Sequence, residues 1–347
     1  MKKIWIAILA TVIAGCSAAP SMKTADFTVP EIWQAGAAVT DLSAKTGRII
    51  FMNEGGITGS VSMDDLVLAD AEHPLPEDAE NIWIVPGFDI KEIKPAKKLY
   101  RLGRTGTEAK VLNTNPSNFT AAGTKAVYFA HTDGGTPSIA VLDRLDLGTM
   151  EKTSLELEDR IVRALSAGEN GVCILTDSHG TDLKASFYDS SLNLTSEVTL
   201  LADTVGNVFY TIDETYMAVT VFHMEGKTPY RTLFIINPDT GSVITQEMSF
   251  SKDGRPFAQD SDHILIVESM EREDVLLTRY EMSTYSFSEY TIPVSFAALA
   301  ADMNRIYLID REGIVHVLDS QDPSAEISRF SLGTEGNETV RNAFARN

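Results

Sequence analysis

The chain has 347 residues, 44% of them hydrophobic and 22% charged, enough apolar content for a substantial core and too much for a disordered tail. Lys+Arg 29 against Asp+Glu 49 gives a net charge of -20, which excludes a sequence-independent grip on phosphate backbones, so nucleic acid is not an expected partner. Two cysteines, Cys16 and Cys173, exclude a disulfide framework and a cysteine-rich zinc site.

The first element in chain order is an address. Met1, Lys2 and Lys3 form a positive start, and Ile4 to Ala14 is an apolar run about half as long as the roughly 20 residues that span a bilayer. It ends in Ile13, Ala14, Gly15, Cys16, which resembles the lipobox of bacterial lipoproteins. The resemblance implies removal of a signal peptide over 1–15, lipidation of Cys16 with acyl chains of the palmitate kind, and a short small-residue tether over 16–30. An ordinary secretory signal with a chance cysteine is the rival, and both imply export. Without Lys2 and Lys3 the net charge becomes -22, so attachment depends on acyl chains and not on attraction to anionic headgroups. Ser17 stands where many lipoproteins retained at the inner membrane carry aspartate, so the resemblance implies the outer membrane in a two-membrane cell. In a one-membrane cell it implies the outer face of the plasma membrane.

Beyond residue 30, runs rich in Val, Ile, Tyr, Phe and Thr recur between Gly, Asp, Asn and Ser turns, the pattern of an all-β protein. Five runs start at Lys125, Gly171, Tyr216, His263 and Arg305, at intervals of 46, 45, 47 and 42 residues. A second series closes on Asp143, Asp189, Asn237, Glu281 and Asp319, at intervals of 46, 48, 44 and 38. A period near 45 is the length of four short strands with their turns. Asn81 precedes Lys125 by 44 and adds a repeat, with Asp65 to Asp70 as its inner strand and the segments beginning at Lys97 and Glu108 as its outer ones. Arg48 precedes Asn81 by only 33. This reads as an abbreviated first unit, beginning near Ala37 and borrowing a strand from the segment after Leu332.

Four-stranded units at this spacing resemble the blades of a β-propeller of the quinoprotein-like or YVTN-like kind. The resemblance implies a single domain over 31–347 with seven blades, or six as the second count. Sequential strands keeping one register argue against a two-domain β-sandwich, and the period is long for an open solenoid. No Gly-His to Trp-Asp pattern recurs, and Ser251 to Phe257 departs from the Asp-box of sialidase-like propellers.

Three histidines share a place in their repeats. His131, His179 and His223 fall at the end of the second strand of consecutive units, beside Asp133, Asp177 and Glu225. Turns there share a propeller face, so a metal site or an acid and base pair is one reading. Turn chemistry, which favours Asp and Gly for backbone reasons, is the other. His263 and His316 lie in strand runs and are expected to be packed or hydrogen-bonded, and His73 lies in a polar loop. Cys173 sits in a buried-strand pattern and reads as core. Trp33, before the first unit, is placed to plug the disc. Nucleophile-elbow, phosphate-loop, zinc-helix and EF-hand motifs are missing, and no cofactor is expected. The resulting expectation is a lipid-anchored, non-enzymatic platform for a protein or extracellular ligand. A propeller hydrolase or lyase acting on a polysaccharide or peptide is the alternative.

Overall fold

The β-branched and aromatic runs form strands because such side chains fit a pleated, half-covered surface. A computed structural model describes residues 19–346 apart from 64–65, 69–73, 90–93, 115, 118, 133–138, 158–159, 252 and 270–273. The expected leader, Cys16, His73 and Asp133 lie outside the described residues. Among those described, no helix is long and apolar enough to cross a membrane.

The strands form meandering antiparallel sheets around an axis, an all-β propeller. Sheet I runs from the axis outward as Thr339–Ala345, Ala35–Asp41, Thr46–Asn53 and Gly56–Ser62. Sheet II runs Glu77–Asp78, Asn81–Ile84, Lys98–Gly103 and Glu108–Asn113, with Ser21–Thr28 added as a fifth strand outside. Sheet III holds Phe119–Ala122, Ala126–Thr132, Ala140–Asp146 and Lys152–Glu156. Sheet V holds Arg255–Ala258, His263–Ser269, Val275–Glu281 and Ser286–Ile292, and sheet VI holds Phe296–Ala301, Arg305–Asp310, Ile314–Asp319 and Glu326–Ser331.

The chain between sheets III and V departs from the expected count of seven, or six, separate four-stranded blades. Sheet IV has seven strands over two periods, because the 19-residue strand Leu194–Ile212 is the outer strand of one meander and the inner strand of the next. Five sheets therefore stand as separate blades. A register shift between Val205 and Val208 marks where the long strand turns inward.

Two further corrections concern the first units. The second strands begin at Ala35, Asn81, Ala126, Gly171, Met217, His263 and Arg305, at intervals of 42 to 46 residues throughout. The short interval of 33 arose from comparing a third strand, Thr46–Asn53, with a second strand, Asn81–Ile84, so the first unit is not abbreviated. The borrowed strand is Thr339–Ala345, paired from Ala35↔Ala345 to Thr40↔Thr339. Leu66–Leu68, expected as an inner strand, instead pairs with Pro86–Asp89 in a small three-stranded sheet, and the inner strand of sheet II is Glu77–Asp78.

The core lies between sheets. Ala37, Ile50 and Met52 of sheet I pack with Tyr307, Ile309 and Val317 of sheet VI, and Cys173, fully buried, packs with Val219 and Phe234 across sheet IV. Trp33 does not plug the disc. It is 2% exposed and packs edge-on against Phe51 at 5.2 Å and Phe344 at 5.9 Å, between sheets I and II. Gly36 makes this seam possible, since a Cβ there would stand 2.2 Å from Cζ of Phe344. Gly36→Ala is expected to lose about 1–3 kcal/mol by overpacking, measured as a lowered urea midpoint, and Phe344→Leu in the same chain should recover part of it.

Candidate functional site

In an antiparallel meander successive turns alternate ends, so first-to-second and third-to-fourth turns share one face of the disc. We call that face lower, and the face with second-to-third turns and sheet-to-sheet links upper. The three aligned histidines belong to the upper half, and His131 and His223 are engaged within their own sheets. His131 is exposed, with Nδ1 3.6 Å from Oδ2 of Asp143, an oxygen that also receives Lys152 at 2.6 Å. His179 is exposed in a turn at φ 52°. His223 is 3% exposed, with Nε2 2.9 Å from Oγ1 of Thr232 and its ring stacked on Tyr230, and burial holds its pKa below the ordinary value. Asp177 is fully buried, pairs with Arg163 and accepts the Gly180 N–H at 2.8 Å, which is a turn-capping role. Glu225 is exposed opposite Thr228. None of these residues belongs to the one group of three possible metal ligands found among the described residues.

That group is Asp262, His263 and Glu281 on the lower face, with ligand atoms within 4.8 Å of one another. Each member is already satisfied. Asp262 accepts the N–H and hydroxyl of Ser283 at 2.8 and 2.7 Å, Nδ1 of His263 lies 2.8 Å from Asp260, and Glu281 accepts from Ser283 and Ser286. His316 is likewise held, by Glu326 at 2.8 Å and Asp310 at 3.4 Å.

The axis itself is a narrow channel. Its cavity of ≈ 80 Å³ is walled by innermost strands, with Ile212, Phe257, Leu299 and Phe344 among mostly apolar and small side chains. Glu77 is the carboxyl on this wall, and it also lines a second cavity of ≈ 240 Å³ opening on the lower face. Its Oε2 accepts from Nη2 of Arg104 at 2.7 Å, and Arg104 is 4% exposed. Burial pushes the Glu77 pKa up to about 7, with Asp213 and Glu214 opposing its ionisation and Arg104 favouring it. Burial also raises Asp213. Glu169, Glu214 and Asp239 share the lower cavity with Glu77, so the mouth is acidic.

Four lower turns repeat one device. Asp78, Asp213, Asp260 and Asp302 each end an inner strand and accept, through Oδ1, the N–H two residues on, from Glu80, Thr215, Asp262 and Asn304 at 2.7 to 3.1 Å. Such a side chain mimics a backbone turn and orders the hairpin at the mouth. The signal is legible in the sequence as an aspartate three residues before Asn81, Tyr216, His263 and Arg305. The histidine series drew attention to the opposite face.

No family model matches the chain, and no curated protein is significantly similar to it. Among solved structures, ACO from Synechocystis in its cobalt-substituted form aligns over 94% of this chain and 96% of its own, at 6% identity and a TM-score of 0.54. BamB from Moraxella catarrhalis aligns over 93% and 92%, at 16% identity and a TM-score of 0.45. The β-propeller domain of the Trilobed protease from Pyrococcus furiosus aligns over 78% and 84%, at 13% identity and a TM-score of 0.48. At these identities the likeness concerns fold alone.

Glu77 yields a test with a defined sign. The folded chain holds its proton more tightly than the unfolded chain does, so the stability this group contributes is fullest below pH 4.5 and declines as pH rises to about 7. Urea unfolding across that window is expected to show a steeper loss with rising pH in the wild type than in Glu77→Gln. Equal slopes would refute the buried carboxyl.

Proposed function

We propose that this chain is an exported propeller, lipid-anchored through Cys16 in the cell envelope, whose lower face is a binding platform for another protein. The supporting observation is where apolar side chains remain exposed. Nine large hydrophobic residues are exposed among those described, and six of them, Ile32, Ile57, Tyr285, Phe287, Met303 and Ile327, lie on the lower half of three consecutive sheets, V, VI and I. Single exposed apolar residues are ordinary, whereas a gathering on one sector marks an interaction surface. The sector is braced by Arg305, whose Nε donates to Glu54 at 2.9 Å, and by the Ser328 hydroxyl, which donates to the Glu54 carbonyl, so it is held rigid across the VI–I seam.

The channel supports the same reading. A hydrolase or lyase needs an acid and a base converging on a cavity that admits substrate. Here Glu77 is the one carboxyl, with no histidine, among the described residues lining the axial cavity, and it is held by Arg104 at 2.7 Å. The acidic lower mouth adds a preference for a partner that presents basic residues beside apolar anchors.

Cys16→Ser is expected to move the protein from the membrane to the soluble fraction, and membrane retention without added acyl mass would overturn the anchor. Tyr285→Asp with Met303→Asp alters two exposed residues, for which stability changes within about 0.5 kcal/mol are usual. Crosslinking in intact membranes is expected to yield a partner adduct with the wild type and not with this variant. An undiminished adduct would remove the lower face from the reading.

A further inference from the structure

The segment expected as a tether is largely part of the propeller. Ser21–Thr28 is the fifth strand of sheet II, antiparallel to Glu108–Asn113, with Ser21↔Asn113, Met22↔Leu112 and Lys23↔Val111 in register. Its side chains are docked as well as its backbone. Met22 packs against the core between sheets II and III, Ala25 and Phe27 pack against the core between I and II, and the Phe27 ring lies 5.7 Å from Tyr100. Four residues, 17–20, are left between Cys16 and the strand. The five steps from Cys16 to Ser21 reach at most about 18 Å.

Register fixes where this short leash leaves the domain. Asn113 ends the fourth strand of sheet II and pairs with Lys98, the start of the third, so both lie at the upper end, and Nδ2 of Asn113 donates to the Ser21 hydroxyl at 3.2 Å. Lysines gather at that end of the edge. Lys23 and Lys97 are exposed and Lys98 half-buried, while Asp26 and Glu108 lie toward the lower end, where Glu108 pairs with Lys110 at 3.8 Å. In a chain of net charge -20, this is a local reversal of sign at the point of exit, which suits an anionic lipid surface.

We infer that the propeller sits on the bilayer by the upper rim of sheet II, with that rim against the headgroups and the lower face turned away from the membrane. The inference rests on lipidation of Cys16. It deepens the platform reading, because the exposed apolar sector and the acidic mouth are then presented to the aqueous compartment. The orientation follows from two independent features, a leash too short to let the disc turn over and a lysine cluster at the exit.

The test uses the full lipidated chain in vesicles of phosphatidylethanolamine and phosphatidylglycerol carrying a headgroup-nitroxide lipid. Cys173 is fully buried, with its thiol pKa pushed up by burial, so an introduced cysteine takes the fluorophore. Lys97→Cys reports the upper rim and Tyr285→Cys the lower face. Quenching several-fold stronger at position 97 than at 285 is expected. Equal or reversed quenching in protein that carries the lipid and floats with the vesicles would overturn the orientation, whereas protein without acyl mass would overturn the anchor. A flexible Gly/Ser insertion between Pro20 and Ser21 is expected to abolish the difference while leaving flotation intact, and a persisting difference would show that the short leash is not its cause.

Discussion

The structure depends on the covering of two-faced sheets by one another. Strands such as Asn81–Ile84 and Gly171–Asp177 are buried along their whole length, so each sheet is apolar on both faces and cannot stand in water alone. Ring closure removes the last two exposed faces, and it falls to Thr339–Ala345, which pairs with residues some 300 positions earlier. Polar ties cross that seam, among them Arg48 to Glu338 at 2.7 Å, but with side-chain exposures of 29% and 15% such a pair contributes at most about 1 kcal/mol. Burial of Phe344 against Trp33 and Phe51 contributes about 1.5–3 kcal/mol by itself, so packing and not charge closes the ring.

Closure also sets the bore. Inner strands converge on the axis, and their walls are rich in small residues, Ala258, Ala300, Ala301 and Ala343 among them. Small side chains there let the inner strands approach the axis. The lower turns are ordered by their capping aspartates, and burial at the mouth, with neighbouring carboxylates adding to it, raises the pKa values of Glu77 and Asp213.

Much of this was legible in the sequence. The period near 45, the second strands and the strand borrowed by the first unit could be read because buried strands are continuous apolar runs. What escaped has identifiable causes. Glu77–Asp78 is two residues long and polar, so nothing in its composition marks an inner strand, whereas the apolar Leu66–Leu68 has the composition of one. The long strand Leu194–Ile212 carries Asp203, Gly206 and Asn207 midway, which read as a turn, yet backbone pairing runs through them with a bulge. The histidine series is aligned in sequence, and His131 and His223 meet partners within their own sheets. Each of the repeated aspartates looks like ordinary turn composition until the four are aligned on the strand that follows.

The fifth strand of sheet II ties these threads together. Among the described residues, that sheet has the shortest inner strand, Glu77–Asp78. Ser21–Thr28 adds Met22, Ala25 and Phe27 to the cores on both sides of it and covers the outer edge of Glu108–Asn113. The strand runs from Ser21 at the upper end to Thr28 at the lower end, so a pull at its N-terminus from the upper side lies along the strand. In that geometry the hydrogen bonds to Glu108–Asn113 bear load together in shear, not one after another as in peeling. If Cys16 carries the proposed lipid, the strand that adds core to sheet II is also the one that bears the load.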